Sequence, residues 1–440
     1  MMKQLKRIKQ LKSGSQKALA CFTVLVTAVF VGTAHPANAA TKSGLAVRSA
    51  IAIDADSGQI LYQKQAQKAL PIASVTKLLS TYIVLEQIKS GKLTWQTPVK
   101  IDSATAKLSH KSILTNVPLT AGHKYSVRQL YNATLIYSAN AAVTALGTKI
   151  AGSPQKFLTK MRETALKLGL TSAKIVTASG ITNGQAGRQL GDPKVGAKVE
   201  NKMSAIDVAK LAKRLIADFP AVLHTTGRRT AWFDKGGSNQ TAMTNWNLML
   251  KGSSQATANL PVAGLKTGTS TAAGGNFVGT VNKQGHRLIT VVMHAGNGNG
   301  GDATRFVQTR RLMNWVYATY RPVKLASGAA VAGADSVKAF YGKAKTAGVA
   351  LAQPTTLWLK KTQPKSTISG QLQLAKSATE KDGLKTPIKK GADVGRISLK
   401  LDGQKVASVD GSTTVSAKVS QTDDRANWFI RLWRDFVALF

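Results

Sequence analysis

Ser74-Val75-Thr76-Lys77-Leu78-Leu79-Ser80-Thr81-Tyr82-Ile83-Val84-Leu85-Glu86-Gln87-Ile88 is the stretch on which the fold turns. From Val75 to Ile88 the residues are apolar on nearly every side of a helical wheel, bounded by Ser74 before and Ser90-Gly91 after. A helix that is apolar all round belongs at the centre of a domain. Ser74 falls in its first turn and Lys77 three residues on, so a hydroxyl and an amine share one face. A serine hydroxyl is a poor nucleophile without a neighbouring base. Lysine can serve once burial and a second cation lower its pKa from the reference of about 10.4. The spacing alone is a weak signal, because Ser153-Pro154-Gln155-Lys156 repeats it and reads as a helix cap with proline at the first helical position.

Around this helix the chain alternates in type. Arg48 to Ile53 and Gln59 to Tyr62 flank the turn residues Asp54-Ala55-Asp56-Ser57-Gly58, which predicts a hairpin. Ser126-Val127-Arg128-Gln129 and Ser204-Ala205-Ile206-Asp207 carry capping patterns, and Arg305 to Tyr317 reads as a further helix. Asn276 to Asn282 and Arg287 to His294 form a second predicted hairpin across Lys283 to His286. Strands, then helices, then strands point to the α+β class. After about Pro322 short alternating runs take over: Thr356 to Leu359, Gln371 to Leu374, Ile397 to Leu401 and Gln404 to Val409. Asp402-Gly403 joins the last two as a two-residue hairpin turn, and the region reads as a separate small β domain.

Length and charge bound the setting. With 440 residues the chain has room for two or three domains, and 61 Lys+Arg against 20 Asp+Glu give a formal charge of +41. Residues 1–17 hold six basic side chains and no acid, Ala18 to Ala34 is apolar, and Ala37-Asn38-Ala39-Ala40 is a small-residue processing site. That order is a signal peptide cut after Ala39, with Ala34 as the alternative cut and an uncleaved anchor as the competing reading. The lone cysteine, Cys21, lies in the leader, so disulfides, thiolate catalysis and cysteine metal sites are excluded for the exported chain. Taking the leader's six basic residues from +41 leaves +35. Outside the cytoplasm such a charge meets anionic wall polymers and lipid headgroups, not nucleic acid, for which no reading module is visible. The six histidines are scattered, so neither a metal nor any other cofactor is expected. At the C-terminus, Trp428 to Phe440 places Asn427, Arg431, Arg434 and Ala438 on one narrow line of a helical wheel, with aromatic and aliphatic residues elsewhere. It is too short for a spanning helix of about 20 residues, which leaves two readings, a surface anchor or a helix packed on the β domain.

Two more motifs stand downstream of Ser74. Ser138-Ala139-Asn140 follows a helical stretch, and Lys266-Thr267-Gly268-Thr269 precedes a predicted strand, with Gly268 permitting close approach of a ligand. Taken singly they read as a turn or cap and a loop. In the order Ser74, Ser138, Lys266 they follow the succession found in penicillin-binding proteins and class A β-lactamases.

From Leu45 to Tyr320 and beyond, the chain resembles the low-molecular-mass penicillin-binding proteins that act as serine-type D-alanyl-D-alanine carboxypeptidases. Asp54 to Leu61, Ser204 to Leu215, Asn245-Trp246-Asn247-Leu248, and Arg305-Phe306 leading to Leu312 and Trp315 share in the likeness. So does Thr386-Pro387-Ile388-Lys389-Lys390-Gly391 with Val394, which is similar to the family's C-terminal β domain. The resemblance implies a β-lactamase/transpeptidase-like domain, an antiparallel sheet flanked by helices with a helical subdomain, followed by a small all-β domain. The implied boundaries are a signal peptide at 1–39, a catalytic domain at 40–321, a β domain at 322–422 and an amphipathic membrane-anchoring helix at 423–440.

The resemblance also implies roles. Ser74 would be the acylated nucleophile, Lys77 its base, Ser138 and Asn140 the proton path and substrate-amide contact, and Lys266 the charge that keeps Lys77 neutral. Backbone N–H groups of Ser74 and Thr269 would form the oxyanion hole. Thr267, Gly268, Thr269 and Arg305 would bind substrate, the two threonines and Arg305 receiving its terminal carboxylate. The implied substrate is a peptidoglycan stem peptide ending in D-Ala-D-Ala, with β-lactams as covalent inhibitors, and the implied role is in cell wall biogenesis and cell shape at the outer face of the cytoplasmic membrane. Ala141 stands where many members carry Asp, and Thr269 where some carry His. No counterpart of the deacylating glutamate of class A β-lactamases is visible between Asn140 and Lys266. Transpeptidation or endopeptidation within the family, and an inactive wall-binding protein outside it, are the competing readings.

Overall fold

The computed structural model describes residues 44–297 and 301–439; the leader and its cleavage site lie outside them. Strand β1 (Ser49–Asp54) pairs with β2 (Ile60–Lys64) as the hairpin predicted around Asp54 to Gly58. All six residues of β1 are buried, which side-chain alternation explains: Ile51 and Ile53 enter one core cluster, Ala50 and Ala52 the other. Helix α1 (Lys77–Lys89) lies in the first cluster, with Leu78, Leu79 and Ile83 wholly out of solvent. Its polar groups find partners, Ser80 Oγ donating to Ala178 O at 2.7 Å and Tyr82 OH to Asp218 Oδ2 at 2.7 Å.

Beyond it come α2 (Asn140–Ala151), α3 (Pro154–Lys167) and α4 (Ala205–Asp218). Ser153 and Ser204 cap the last two as their sequence patterns predict. Strands β3 (Val262–Ser270), β4 (Gly274–Lys283) and β5 (His286–Ala295) follow, then helix α5 (Thr304–Thr319). The sheet runs β2-β1-β5-β4-β3, antiparallel throughout. Helices α1 and α4 cover one face through Leu79, Val208 and Leu211 against Ile53, Val278 and Val291. On the other, Phe306, Leu312 and Val316 of α5 meet Ala52, Phe277 and Val292.

Two local expectations are corrected. Ser74 is not in the first turn of the buried helix; it sits in a separate 3-10 turn, Ala73–Thr76, and the α-helix begins at Lys77. Lys266 to Thr269 precedes β4, the strand expected from Asn276, but is not the loop it reads as when taken singly; it lies within β3, because the ladder to β4 continues through it, pairing Val278 with Lys266 and Gly275 with Thr269.

The C-terminal region is a second β layer. Strand β6 (Tyr320–Leu325) pairs with β8 (Thr355–Lys360), while β7 (Thr346–Leu351), β9 (Ile368–Leu374), β10 (Asp393–Leu401) and β11 (Thr414–Val419) form a sheet in the order β7-β11-β10-β9. Asp402 and Gly403, with φ of 48° and 75°, make the predicted tight turn. The strand expected from Gln404 to Val409 is cut short at Lys405, since Ser408 and Val409 leave to bond the N-terminal layer. There Val409 N donates to Gly58 O at 3.0 Å and Ser408 Oγ to Ser57 O at 3.2 Å. Trp358 of β8 completes the joint, exchanging two 2.8 Å hydrogen bonds with Gln59 and donating its indole N–H to Asp54 Oδ1 at 2.9 Å.

Helix α6 (Trp428–Val437) ends the chain, capped by Asn427. It meets the β domain with its polar line. Arg434 Nη1 donates to Phe340 O and Gly342 O at 2.8 and 2.7 Å, and Asp435 accepts from Tyr341 OH and pairs with Lys381. Trp428, Phe429, Leu432 and Trp433 face outward, each at least 60% exposed. Among the described residues no helix is long and apolar enough to cross a membrane.

Candidate active site

The turn before α1 is clamped from two sides. Ala73 adopts φ of 45°, unusual for a residue with a Cβ, and is buried. A Cβ on Gly180, itself at φ +85°, would stand 1.9 Å from Ala73 O, and one on Gly268 would stand 2.5 Å from Ile72 O. Glycine at both positions lets β3 and the 177–181 segment press against the backbone that presents Ser74.

Lys77, with no exposed surface, sits at the centre of the polar contacts. Its Nζ lies 2.8 Å from Ser74 Oγ, 2.8 Å from Asn140 Oδ1 and 2.9 Å from Ser179 O. A neutral amine has two N–H donors and one lone pair. Asn140 Oδ1 and Ser179 O only accept, so in the neutral state they take both donors and the lone pair is left toward the Ser74 hydroxyl. The site favours that state: burial, and then the charge of Lys266, hold the Lys77 pKa well below its ordinary value.

The other motifs converge on the same place. Ser138, at φ of 69°, ends the π-helical turn Ala133–Tyr137, and its hydroxyl has no hydrogen bond to protein among the described residues. Asn140 opens α2 and donates through Nδ2 to Thr115 O at 2.9 Å, so one of its two amide hydrogens is already engaged. Lys266, 3% exposed, donates to Thr267 O at 3.1 Å; burial first, and the neighbouring Arg305 second, bring its pKa to about 7. Arg305 reaches from the first turn of α5 to Gly268 O at 3.1 Å and Thr269 Oγ1 at 2.6 Å. Ser74, Ser138, Thr267, Thr269 and Arg305 line one cavity of about 280 Å³, together with Ile113, Thr115, Trp246 and Phe306. Larger clefts of about 500 and 630 Å³ lie elsewhere, but neither holds a serine beside a buried lysine.

All nine residues expected from sequence therefore meet, through the cavity wall or through bonds to its lining. Sequence reading missed Ser179, Thr115 and Ile113, which take part through a carbonyl or an exposed side chain in loops without a motif. Glu200 was also missed: it accepts from Ser270 Oγ at 2.7 Å, and burial raises its pKa. The bond ties the end of β3 to the loop before α4. Chemically, the cleft offers an activated hydroxyl, a buried base and a cationic end suited to a carboxylate.

The family model described as D-alanyl-D-alanine carboxypeptidase matches residues 33–297, and one described as the C-terminal domain of penicillin-binding protein 5 matches residues 320–420. D-alanyl-D-alanine carboxypeptidase DacC of Escherichia coli K12 is 27% identical over 93% of this chain and 92% of that protein. The counterpart DacF of Bacillus subtilis is 24% identical over 82% and 83%. Among solved structures, a peptidoglycan synthesis regulatory factor (PBP3) from Streptococcus pneumoniae superposes with a TM-score of 0.68 at 30% identity, covering 86% of this chain and 99% of that one. Penicillin-binding protein D2 of Listeria monocytogenes, in its ampicillin-bound form, gives 0.50 at 30% identity over 62% and 98%.

Proposed function

The chain belongs to the D-alanyl-D-alanine carboxypeptidase family, the serine-type penicillin-binding hydrolases of peptidoglycan metabolism, and from that premise we propose how its own residues carry out the reaction. Arg305, Thr267 and Thr269 receive the terminal carboxylate of a stem pentapeptide. Ser74 Oγ gives its proton to Lys77 Nζ and attacks the carbonyl carbon of the penultimate D-alanine. Backbone N–H groups of Ser74 and Thr269 hold the oxyanion, where donors fixed in advance act on charge that exists only in the transition state. The C–N bond then breaks, the departing D-alanine nitrogen takes a proton from Lys77 by way of Ser138, and an ester on Ser74 remains. Water hydrolyses that ester and restores the hydroxyl. Lys266 keeps Lys77 neutral by charge repulsion, and Asn140 holds Lys77 in place while offering its second amide hydrogen to the substrate. A β-lactam enters by the same attack.

The observation that carries this reading is the arrangement at Lys77 Nζ, with two obligate acceptors and one hydroxyl inside 2.9 Å. The exposed apolar face of α6 supports attachment to a membrane surface, and the charge of +35 left after the leader's six basic residues are taken from +41 supports contact with anionic wall polymers. We read 1–39 as leader, 40–321 as catalytic domain, 322–422 as β domain and 423–440 as anchor. Such a chain works outside the cytoplasm, where peptidoglycan lies.

A labelled penicillin should give a covalent adduct that disappears in Ser74→Ala, and a stem pentapeptide should lose the mass of one D-alanine. An adduct that persists in Ser74→Ala removes Ser74 from the mechanism. Cross-link cleavage or aminolysis in place of D-alanine loss would reassign the reaction within the family.

A further inference from the structure

The cleft does not end at Ile113. This side chain, 78% exposed, lines both the cavity around Ser74 and an open trough of about 640 Å³ whose walls include neither Arg305 nor Thr269. Both walls continue segments that brace the base. Thr115, which accepts from Asn140, leads back through Ile113 to Lys111; Ser179, which accepts from Lys77, leads on to Thr182 and Gln185. Lys111 Nζ donates to Gln185 O at 2.8 Å and ties the walls together. Gly184 N donates to Ala197 O at 2.8 Å, which brings Lys198 to the same trough. Ile113, Ala197 and the lysine stems make its lining apolar. Neither Lys111 nor Lys198 is in an ion pair with an acid among the described residues.

In the reaction proposed above, Arg305 holds the terminal carboxylate and Ser74 attacks the next carbonyl, so the residue upstream of the penultimate D-alanine lies beyond Ser74 from Arg305, and the trough reached through Ile113 is lined by neither Arg305 nor Thr269. We propose that the trough receives the side chain of the stem peptide's third residue and selects a methylene chain ending in a carboxylate over one ending only in an ammonium. Methylenes leave water against Ile113 and Ala197. A terminal carboxylate then meets two uncompensated ammonium groups, which repel a lone ammonium, so discrimination has an attractive and a repulsive part. The inference rests on the carboxypeptidase reading.

The test uses the full chain and three stem pentapeptides that differ only at the third residue: meso-diaminopimelate, its side-chain amide, and L-lysine. D-Alanine release should give a kcat/KM about fivefold or more higher for the free carboxylate than for either other peptide, as expected for partly exposed charge contacts. Lys111→Ala combined with Lys198→Ala should bring that ratio toward one, and Lys198→Glu should turn it in favour of lysine. Ratios taken within one variant are unaffected by loss of folded protein, which lowers every substrate equally. Equal rates in the parent chain, or a preference that survives the double substitution, overturns the subsite and leaves the carboxypeptidase reading standing. Release from none of the peptides overturns both.

Discussion

Lys77, Lys266 and Arg305 bring three basic side chains into one buried cleft, at 0%, 3% and 3% exposure, and among the described residues no acid pairs with either lysine. This arrangement works against folding and, in the proposed mechanism, in favour of catalysis. Lys266 has a folded pKa of about 7 against an ordinary 10.5, so between those values the unfolded chain binds more protons than the folded one. Its contribution to stability therefore declines as pH falls from about 10.5 toward 7 and levels off below. Lys266→Met should flatten that slope in pH-dependent melts, raise Tm near neutrality by a few degrees, and reduce penicillin acylation by about a hundredfold or more. A lowered Tm with intact acylation would contradict it. Acylation in the parent chain should weaken on the alkaline side as Lys266 loses its charge near pH 7. Because Arg305 depresses that pKa, Arg305→Gln should move the alkaline limb upward, and a limb that stays put or moves down would count against this assignment.

At the scale of elements, the position of Ser74, the proposed nucleophile, depends on how closely β3 and the 177–181 segment approach the 3-10 turn. Gly180→Ala places a methyl 1.9 Å from Ala73 O at a left-handed φ. The turn must shift, and a displacement of about 1 Å at a reacting atom costs on the order of a hundredfold in rate. Gly180→Ala should also lower stability by about 1–3 kcal/mol in urea titrations. Gly91, at φ +74° with nothing within 4 Å of its added Cβ, is the matched comparison. Gly91→Ala should cost about 1 kcal/mol through its backbone conformation alone and leave the acylation rate unchanged. If the two variants acylate alike, close approach at Gly180 is not what positions Ser74. The element types were mostly legible, since hairpins, caps and the buried helix each have a local chemical cause. The start of α1 and the strand character of Lys266 to Thr269 were not, because neighbours distant in sequence decide them.

Across the whole molecule, the catalytic and β layers are held by Trp358, Gln59, Asp54, Ser57 and Ser408, so the β domain is fixed to the side of the sheet where β1 turns into β2. The terminal helix uses its polar line on that domain and turns Trp428, Phe429, Leu432 and Trp433 to solvent. Deleting residues 424–440 should release the protein from vesicles containing anionic lipid at moderate salt while D-alanine release continues in solution. Vesicle binding that persists after the deletion would assign attachment to the chain's dispersed positive charge.

The sequence by itself determined the α+β class, the buried helix, the order of the three motifs and the two-sided character of the last helix. Each of these follows from periodicity or from residue chemistry within a short window. Only the tertiary structure decided that Lys77 has two carbonyl-type acceptors, that Ile113 joins the catalytic cavity to a second trough, and which face of the last helix docks. Those facts depend on packing between segments tens to hundreds of residues apart, where burial and close backbone approach set the pKa of an amine and the direction of a side chain.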